Sequence, residues 1–202
     1  RTEYDAVTGE NLGALIEGGS TNLMTHSEIF GSSWAHSGTS AVNSNVAVAP
    51  DGTVTADRLT GADQMTFSGN TIYKSFNVTA STNITTSLWV KSAGAATTAA
   101  VGLRDGVSGA IGFTDYPITT EWQRITHTRS LSASSSARMM IGNIDGSVYI
   151  WGAQCEVLPF ASSYIRTEGS AVSRSKDALS LPKVGNFVED EYTILTNFSK
   201  PT

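Results

Sequence analysis

The sequence predicts an all-β fold, an antiparallel two-sheet β-sandwich of the jelly-roll kind, and three observations lead there. Short runs rich in β-branched and aromatic residues recur along the chain, divided by Gly, Asp, Asn and Ser. Helical periodicity is almost absent: the best stretch, HSEIFGSSW at 26–34, is broken by Gly31 and reads as a turn at most. Charged residues make up only 15% of the 202 residues while Gly, Ser and Thr are plentiful, which suits strands and turns with hydroxyl-lined surfaces.

Taken in order, the predicted strands begin with GALIEGG after a DAVTG turn. TVTADRLTG follows the turn APDG at 49–52. TIYKSFNVTA, NITTSLWVKSAG, TAAVGLRDG, WQRITHTRSL, ARMMIGNIDG and SVYIWGAQCEV complete the series. The turns have explicit chemistry at Pro50-Asp51-Gly52, Asp105-Gly106 and Asp145-Gly146. About eight short strands at this spacing, without helices, give two stacked antiparallel sheets. Residues 1–20 form a lead-in, 21–169 the module, and 170–202 an exit linker with the start of a following module. The chain opens on Arg1 and runs out in the strand-like YTILTNF, so it reads as a piece of a longer polypeptide.

The bulk numbers narrow the function. A net charge of −5 with no Lys/Arg cluster argues against nucleic acid as partner. No run approaches the length of a membrane span, and no signal peptide is recognised. The single cysteine, Cys155, allows no intrachain disulfide and is expected as a buried thiol in GAQCEV.

An enzyme is not expected. The three histidines, His26, His36 and His127, form no metal-ligand spacing, and neither HExxH nor GxSxG occurs. His127 alternates with Ile125 and Arg129 and is expected at the surface. Acidic residues are scattered, those beside Gly read as turn formers, and although a glycosidase needs only two carboxylates about 5–10 Å apart, a small sandwich without deep-cleft insertions is not expected to hydrolyse.

Strand alternation carries the site reading. In SLWVK, Leu88 and Val90 share one face while Trp89 and Lys91 share the other; in SVYIW, Val148 and Ile150 oppose Tyr149 and Trp151. If the aliphatic faces build the inter-sheet core, Trp89, Lys91, Tyr149 and Trp151 lie on an outer face. Aromatic rings there would stack on the C–H side of a pyranose while polar neighbours bond its hydroxyls. The competing reading is packing, in which the same face is covered by another segment or a neighbouring subunit. Trp122, beside the turn ITTE, is expected in the core.

Several stretches together resemble a module of phage virion proteins. NLMTHSEIFGSSW, APDGTVTADRLTG, IYKSFNVTA, SLWVKSAG, EWQRITHT and VYIWGAQCEVLPFASSYIRTEG are similar, in order and spacing, to a jelly roll found in tail-fibre, tail-spike and other structural proteins, itself similar to carbohydrate-binding modules. The likeness spans roughly residues 3 to 177. It implies a domain on the virion surface, in a homo-oligomer (a trimer above all) with other virion subunits, that adheres to host-surface polysaccharide; the alternative it implies is a structural assembly or decoration domain. Lys74 in IYKSF stands where the pattern carries Gln, and joins the candidate glycan contacts with donors only. A structural calcium is implied too, with Asp57 and Glu156 as candidate oxygen ligands. The N-glycosylation triplets NVT, NIT and NFS (at 77, 83 and 197) have no use in a protein made by bacteria.

Overall fold

A computed structural model describes residues 2–4, 11–14, 16–66, 68–95 and 97–178. The predicted DAVTG turn and the YTILTNF strand fall outside these residues. By contacts the chain divides into two compact units, one of Arg1–Gly18 with Lys176–Thr202 and one of Gly19–Ser175. The first contains the antiparallel strands β1 (Thr2–Tyr4) and β2 (Asn11–Ala14), together with a backbone pairing of Asp177 and Glu17.

The second unit is a β-sandwich. Its strands are β3 (Ser20–Asn22), β4 (Ala35–Ser37), β5 (Ala41–Ala47), β6 (Ala56–Thr60), β7 (Thr71–Val78), β8 (Thr82–Ser92), β9 (Thr97–Arg104), β10 (Ile111–Ile118), β11 (Gln123–Leu131), β12 (Ser134–Gly142), β13 (Ser147–Glu156) and β14 (Val172–Arg174). A single helical turn, α1 (Phe30–Ser33), sits inside the stretch that the sequence marked as a turn. One five-stranded sheet runs β10-β9-β12-β7-β4, the other β11-β8-β13-β6-β5, and all pairings are antiparallel. We refer to them as the first and second sheet. β14 pairs with β3 beside them. Among the described residues no helix is long and apolar enough to cross a membrane.

The core lies between the sheets and follows the period-two pattern. Ile72, Phe76, Val101, Leu103, Met139 and Ile141 from the first sheet meet Leu59, Ile84, Leu88, Val90, Ile125, Val148 and Ile150 from the second. Phe30 and Trp34 close one end with rings 5.0 Å apart, and the Trp34 indole N–H donates to the His26 carbonyl. Cys155 is fully buried in this core, and burial pushes its thiol up to about 12.

Three expectations shift. IGFTDYPI forms β10, which the sequence reading left between strands; it contains Gly112, Asp115 and Pro117, residue types depleted in strands. It is an edge strand, so Pro117 removes no ladder hydrogen bond that matters. β5 escaped as well, since its bulged, mostly exposed AVNSNVA lacks a clean alternation. His127 is only partly exposed: it faces the sandwich interior at the closing edge, 3.0 Å from Thr114 Oγ1, and burial and then Arg129 lower its pKa.

The β9–β10 turn shows how one carboxylate organises a loop. Asp105 Oδ1 accepts the backbone N–H groups of Val107 and Ser108 at 2.9 and 2.7 Å, and Oδ2 accepts that of Ser132 at 2.6 Å. These donors, Ser132 and then Ser108 foremost, hold Asp105 well below the usual carboxylate range. A depressed folded-state value means that its stabilisation is complete above the unfolded value near ~3.9 and drains away as acid drives the pH below that. Asp105→Ala should therefore cost about 2 kcal/mol at neutral pH, a fall of roughly 4–8 °C in Tm, and the gap to the parent should narrow toward pH 3. Paired thermal melts across pH settle it; an unchanged gap would refute the role.

Candidate functional site

The outward face of the second sheet gathers four of the five sequence candidates. Trp89 lies opposite Trp151, Lys91 opposite Tyr149, Arg124 opposite Trp89 and Arg58 opposite Tyr149. All of these residues belong to one face, as alternation requires. Lys74 is elsewhere, on β7 of the first sheet, where it donates to the Ser33 carbonyl at 2.6 Å and lies 3.3 Å from His26 Nδ1.

At Trp151 that face is covered by the protein itself, whereas Trp89, Lys91 and Tyr149 are half-buried and Arg58 is exposed. Trp151 is only 4% exposed, packed with Ala49, Ala56, Trp89, Trp122 and Tyr164. Its indole N–H donates to Thr55 Oγ1 at 3.0 Å, and its ring lies 4.6 Å from that of Tyr164. Lys91 Nζ occupies the space over Trp122 and Tyr149, at 5.0 and 5.6 Å from their ring centres. Trp122, expected in the inter-sheet core, belongs to this outer layer and donates to the Val48 carbonyl at 3.1 Å. Where the strands pass Gly152, a bulge at φ +68° re-aims the chain, and any Cβ there would press on Trp89 and Tyr164 at 3.2 and 3.3 Å.

Beyond the bulge the face turns polar, and the polar groups hold down the segment 157–167. Gln154 Oε1 accepts the Ile165 N–H at 2.7 Å, and its amide reaches the carbonyls of Ser162 and Ser163. Arg124 donates to the Ser162 carbonyl at 2.7 Å and to Ser87 Oγ at 2.8 Å; Thr85 donates to the Leu158 carbonyl at 2.7 Å. Glu156 accepts from Ser162 N at 3.0 Å, from Ser20 Oγ at 2.5 Å and from the Ser162 hydroxyl.

The calcium pair does not assemble. Asp57 faces the inside of the second sheet, where its oxygens accept the N–H groups of Phe30 and Asn45 at 3.1 and 2.8 Å. Glu156 lies on the opposite face of that sheet, already saturated by Ser20 and Ser162. Two carboxylates on opposite faces cannot share one ion, and among the described residues no group of three His, Cys, Asp or Glu is placed to hold a metal.

The outward face of the first sheet holds what the sequence reading missed. Its pairings set Phe113, Gly102, Met140, Tyr73 and Ala35 in one row across all five strands. The next row is Ile111, Arg104, Arg138 and Ser75. Phe113 is 40% exposed, and the Arg138 guanidinium lies 4.3 Å over the Tyr73 ring. Gly102 keeps the floor low beside Phe113, since a Cβ there would come within 2.7 Å of the Phe113 Cβ. Met65, from the loop before β7, packs on Met140 and Ala100, which are buried with it in the middle of the face. Three strand spacings separate Tyr73 from Phe113, roughly 14 Å. The usable signal was the alternation Ile111, Phe113, Asp115 within IGFTDYPI.

No family model matches the chain, and no curated protein sequence does. Solved structures do resemble it. The CBM22-1 xylan-binding domain of Xyn10C from Paenibacillus barcinonensis superposes with a TM-score of 0.54 at 17% identity, covering 73% of this chain and 100% of that domain. The CBM22-1–GH10 modules of the endo-1,4-β-D-xylanase 10B from Clostridium thermocellum, in complex with xylohexaose, give 0.51 at 11% identity over 73% of this chain and 30% of that one. A xylan-binding domain from CBM 22 gives 0.50 at 15% identity over 65% of this chain and 90% of that one. The fold is a β-sandwich like that of carbohydrate-binding modules.

The packing at Trp151 has a measurable consequence. Trp151→Ala should destabilise the domain by about 3–5 kcal/mol in urea unfolding, because it empties a closed aromatic layer. A loss below about 1 kcal/mol would mean that the ring is not packed as described.

Proposed function

We propose that this domain is a non-catalytic glycan-binding module that seats a polysaccharide chain along the Phe113–Tyr73 row of the first sheet. The observation that carries this reading is the arrangement of that row: an exposed phenyl ring at one end, a tyrosine under a guanidinium toward the other, and Gly102 and the buried Met140 between them. Phe113 supplies an apolar surface for the C–H face of a pyranose. The Arg138 guanidinium over the Tyr73 ring holds that ring in place beside the row. The span suits a few consecutive sugar rings rather than one. The fold of carbohydrate-binding modules supports the reading, and so does the xylan binding named for two of the similar structures.

The sequence motifs extend it to a place. On the surface of a phage particle, in a homo-oligomer such as a trimer, weak individual sites would add up to firm adhesion to host-surface polysaccharide. A single stacking contact contributes on the order of 1 kcal/mol, and a site near millimolar affinity corresponds to about −4 kcal/mol. Many tethered copies convert that into avidity through effective concentration. The assembly alternative draws on Val46, Val48 and Val54, which are 47%, 53% and 59% exposed near the covered aromatic layer.

Affinity electrophoresis of the purified domain through gels containing xylan or host capsule or lipopolysaccharide tests the reading. Retardation by at least one of these is expected, lost in Phe113→Ala with Tm within about 2 °C of the parent. If Phe113→Ala is retarded as strongly as the parent, the row is not the binding face.

A further inference from the structure

A second cavity lies at the end of the sandwich where α1 begins. It has a volume of about 310 Å³ and is lined by His26, Glu28, Asn45, Thr55, Arg166 and Glu168, with Ile29 on its wall. It belongs neither to the Phe113–Tyr73 row, which is on the outward face of the first sheet, nor to the covered aromatic layer, of which it touches only the margin at Thr55.

The cavity's polar groups are fixed by their partners. Glu28 is 8% exposed; its Oε1 accepts the Tyr164 hydroxyl at 2.8 Å and its Oε2 the Arg166 Nε at 3.3 Å. Arg166 also reaches Glu168 Oε1 at 2.9 Å, so one guanidinium stands between two carboxylates. His26 Nδ1 faces Lys74 Nζ at 3.3 Å, and an ammonium can only donate. That contact favours the tautomer with the proton on Nε2, and burial and then Lys74 lower the His26 pKa. Asn45 sits in the left-handed region at φ +57°, a conformation that Asn tolerates, and its backbone N–H is anchored to Asp57. Ile29 is 42% exposed and supplies the one large apolar surface.

We infer that this cavity is a separate binding site for a single neutral sugar residue, such as the end of a glycan chain. Size argues for one ring: the volume is at the low end of small-molecule sites, which run from about 300 to 1,000 Å³. Charge argues for a neutral ligand. Glu28 and Glu168 repel an anion, and the Arg166 guanidinium between them repels a cation. What remains is a ring of donors (His26 Nε2–H, Arg166, the Asn45 amide) and acceptors (Glu28, Glu168, Thr55) around one aliphatic wall, the complement of a pyranose with hydroxyls at its edge and a C–H face. Anchoring from Tyr164, Lys74 and Asp57 means that the site is set before a ligand arrives.

The test is two-dimensional amide NMR of the domain titrated separately with glucose, galactose, mannose, xylose, rhamnose and N-acetylglucosamine to high millimolar concentration. At least one sugar should shift amides at 26–29, 45, 55 and 166–168. Arg166→Ala and Glu168→Gln alter exposed side chains, so the fold should persist, and each should weaken that binding about tenfold. Phe113→Ala should leave these shifts unchanged, so failure of the sheet-face site and failure of this one are told apart. No shift at these positions with any of the six sugars overturns the inference. Shifts that survive undiminished in both variants overturn it too.

Discussion

The structure turns on the hydrogen bonds that Gln154 and Glu156 make to segment 157–167. That segment is irregular, so its N–H and C=O groups have no ladder partners of their own, and burying it without replacements would cost about 1–3 kcal/mol for each group left unpaired. Gln154 gives Ile165, Ser162 and Ser163 their partners; Glu156 serves Ser162; Arg124 and Thr85 add the carbonyls of Ser162 and Leu158. Buried polar residues on the outside of a sheet are ordinarily a defect. Here they fasten the segment that carries Tyr164 onto Trp151, and so make a second apolar layer outside the inter-sheet core.

This fastening sets the asymmetry between the two sheets. One outward face is roofed by segment 157–167 and by the loop around Ala49; the other keeps Phe113 and the Arg138–Tyr73 pair at its surface. It also answers why SVYIW is rich on both sides. Val148 and Ile150 enter the inter-sheet core and Trp151 the outer layer, while Tyr149 is half-buried with Lys91 over its ring.

How much of this was legible can be stated residue by residue. Alternation put Leu88 and Val90 against Trp89 and Lys91 correctly, because the period of a strand is a property of the backbone. It could not say what lies over Trp151, because the roof is an irregular segment with no periodicity, held by side chains from six to 73 residues away in sequence. Lys74 joined the Trp89 group through the resemblance, as the residue standing where the pattern carries Gln; β7 and β8 are in different sheets, a fact of topology. Asp57 and Glu156 are separated by the pairing of β6 with β13 and by the Gly152 bulge, which decides the face that each carboxylate takes. Phe113 was missed because IGFTDYPI carries residue types depleted in strands, and their tolerance there depends on β10 being an edge, a fact of topology.

Covering one face also shapes the end of the molecule. Tyr164 lies on Trp151 with its ring, yet its hydroxyl reaches Ser27 Oγ at 2.6 Å and Glu28 at 2.8 Å. Burial pushes Glu28 up, and the Tyr164 hydroxyl and Arg166 act against that as donors to its carboxylate. Two residues further along the same segment, Arg166 comes within reach of both Glu28 and Glu168. Thr167 donates to the Met24 carbonyl at 2.5 Å and accepts from Ser27, tying the segment to the strand-like stretch before α1. The residues that close the aromatic layer therefore also build the wall of the small cavity. The segment that roofs Trp151 thus also lines part of the recess at the domain's end, while the Phe113–Tyr73 row lies on other elements.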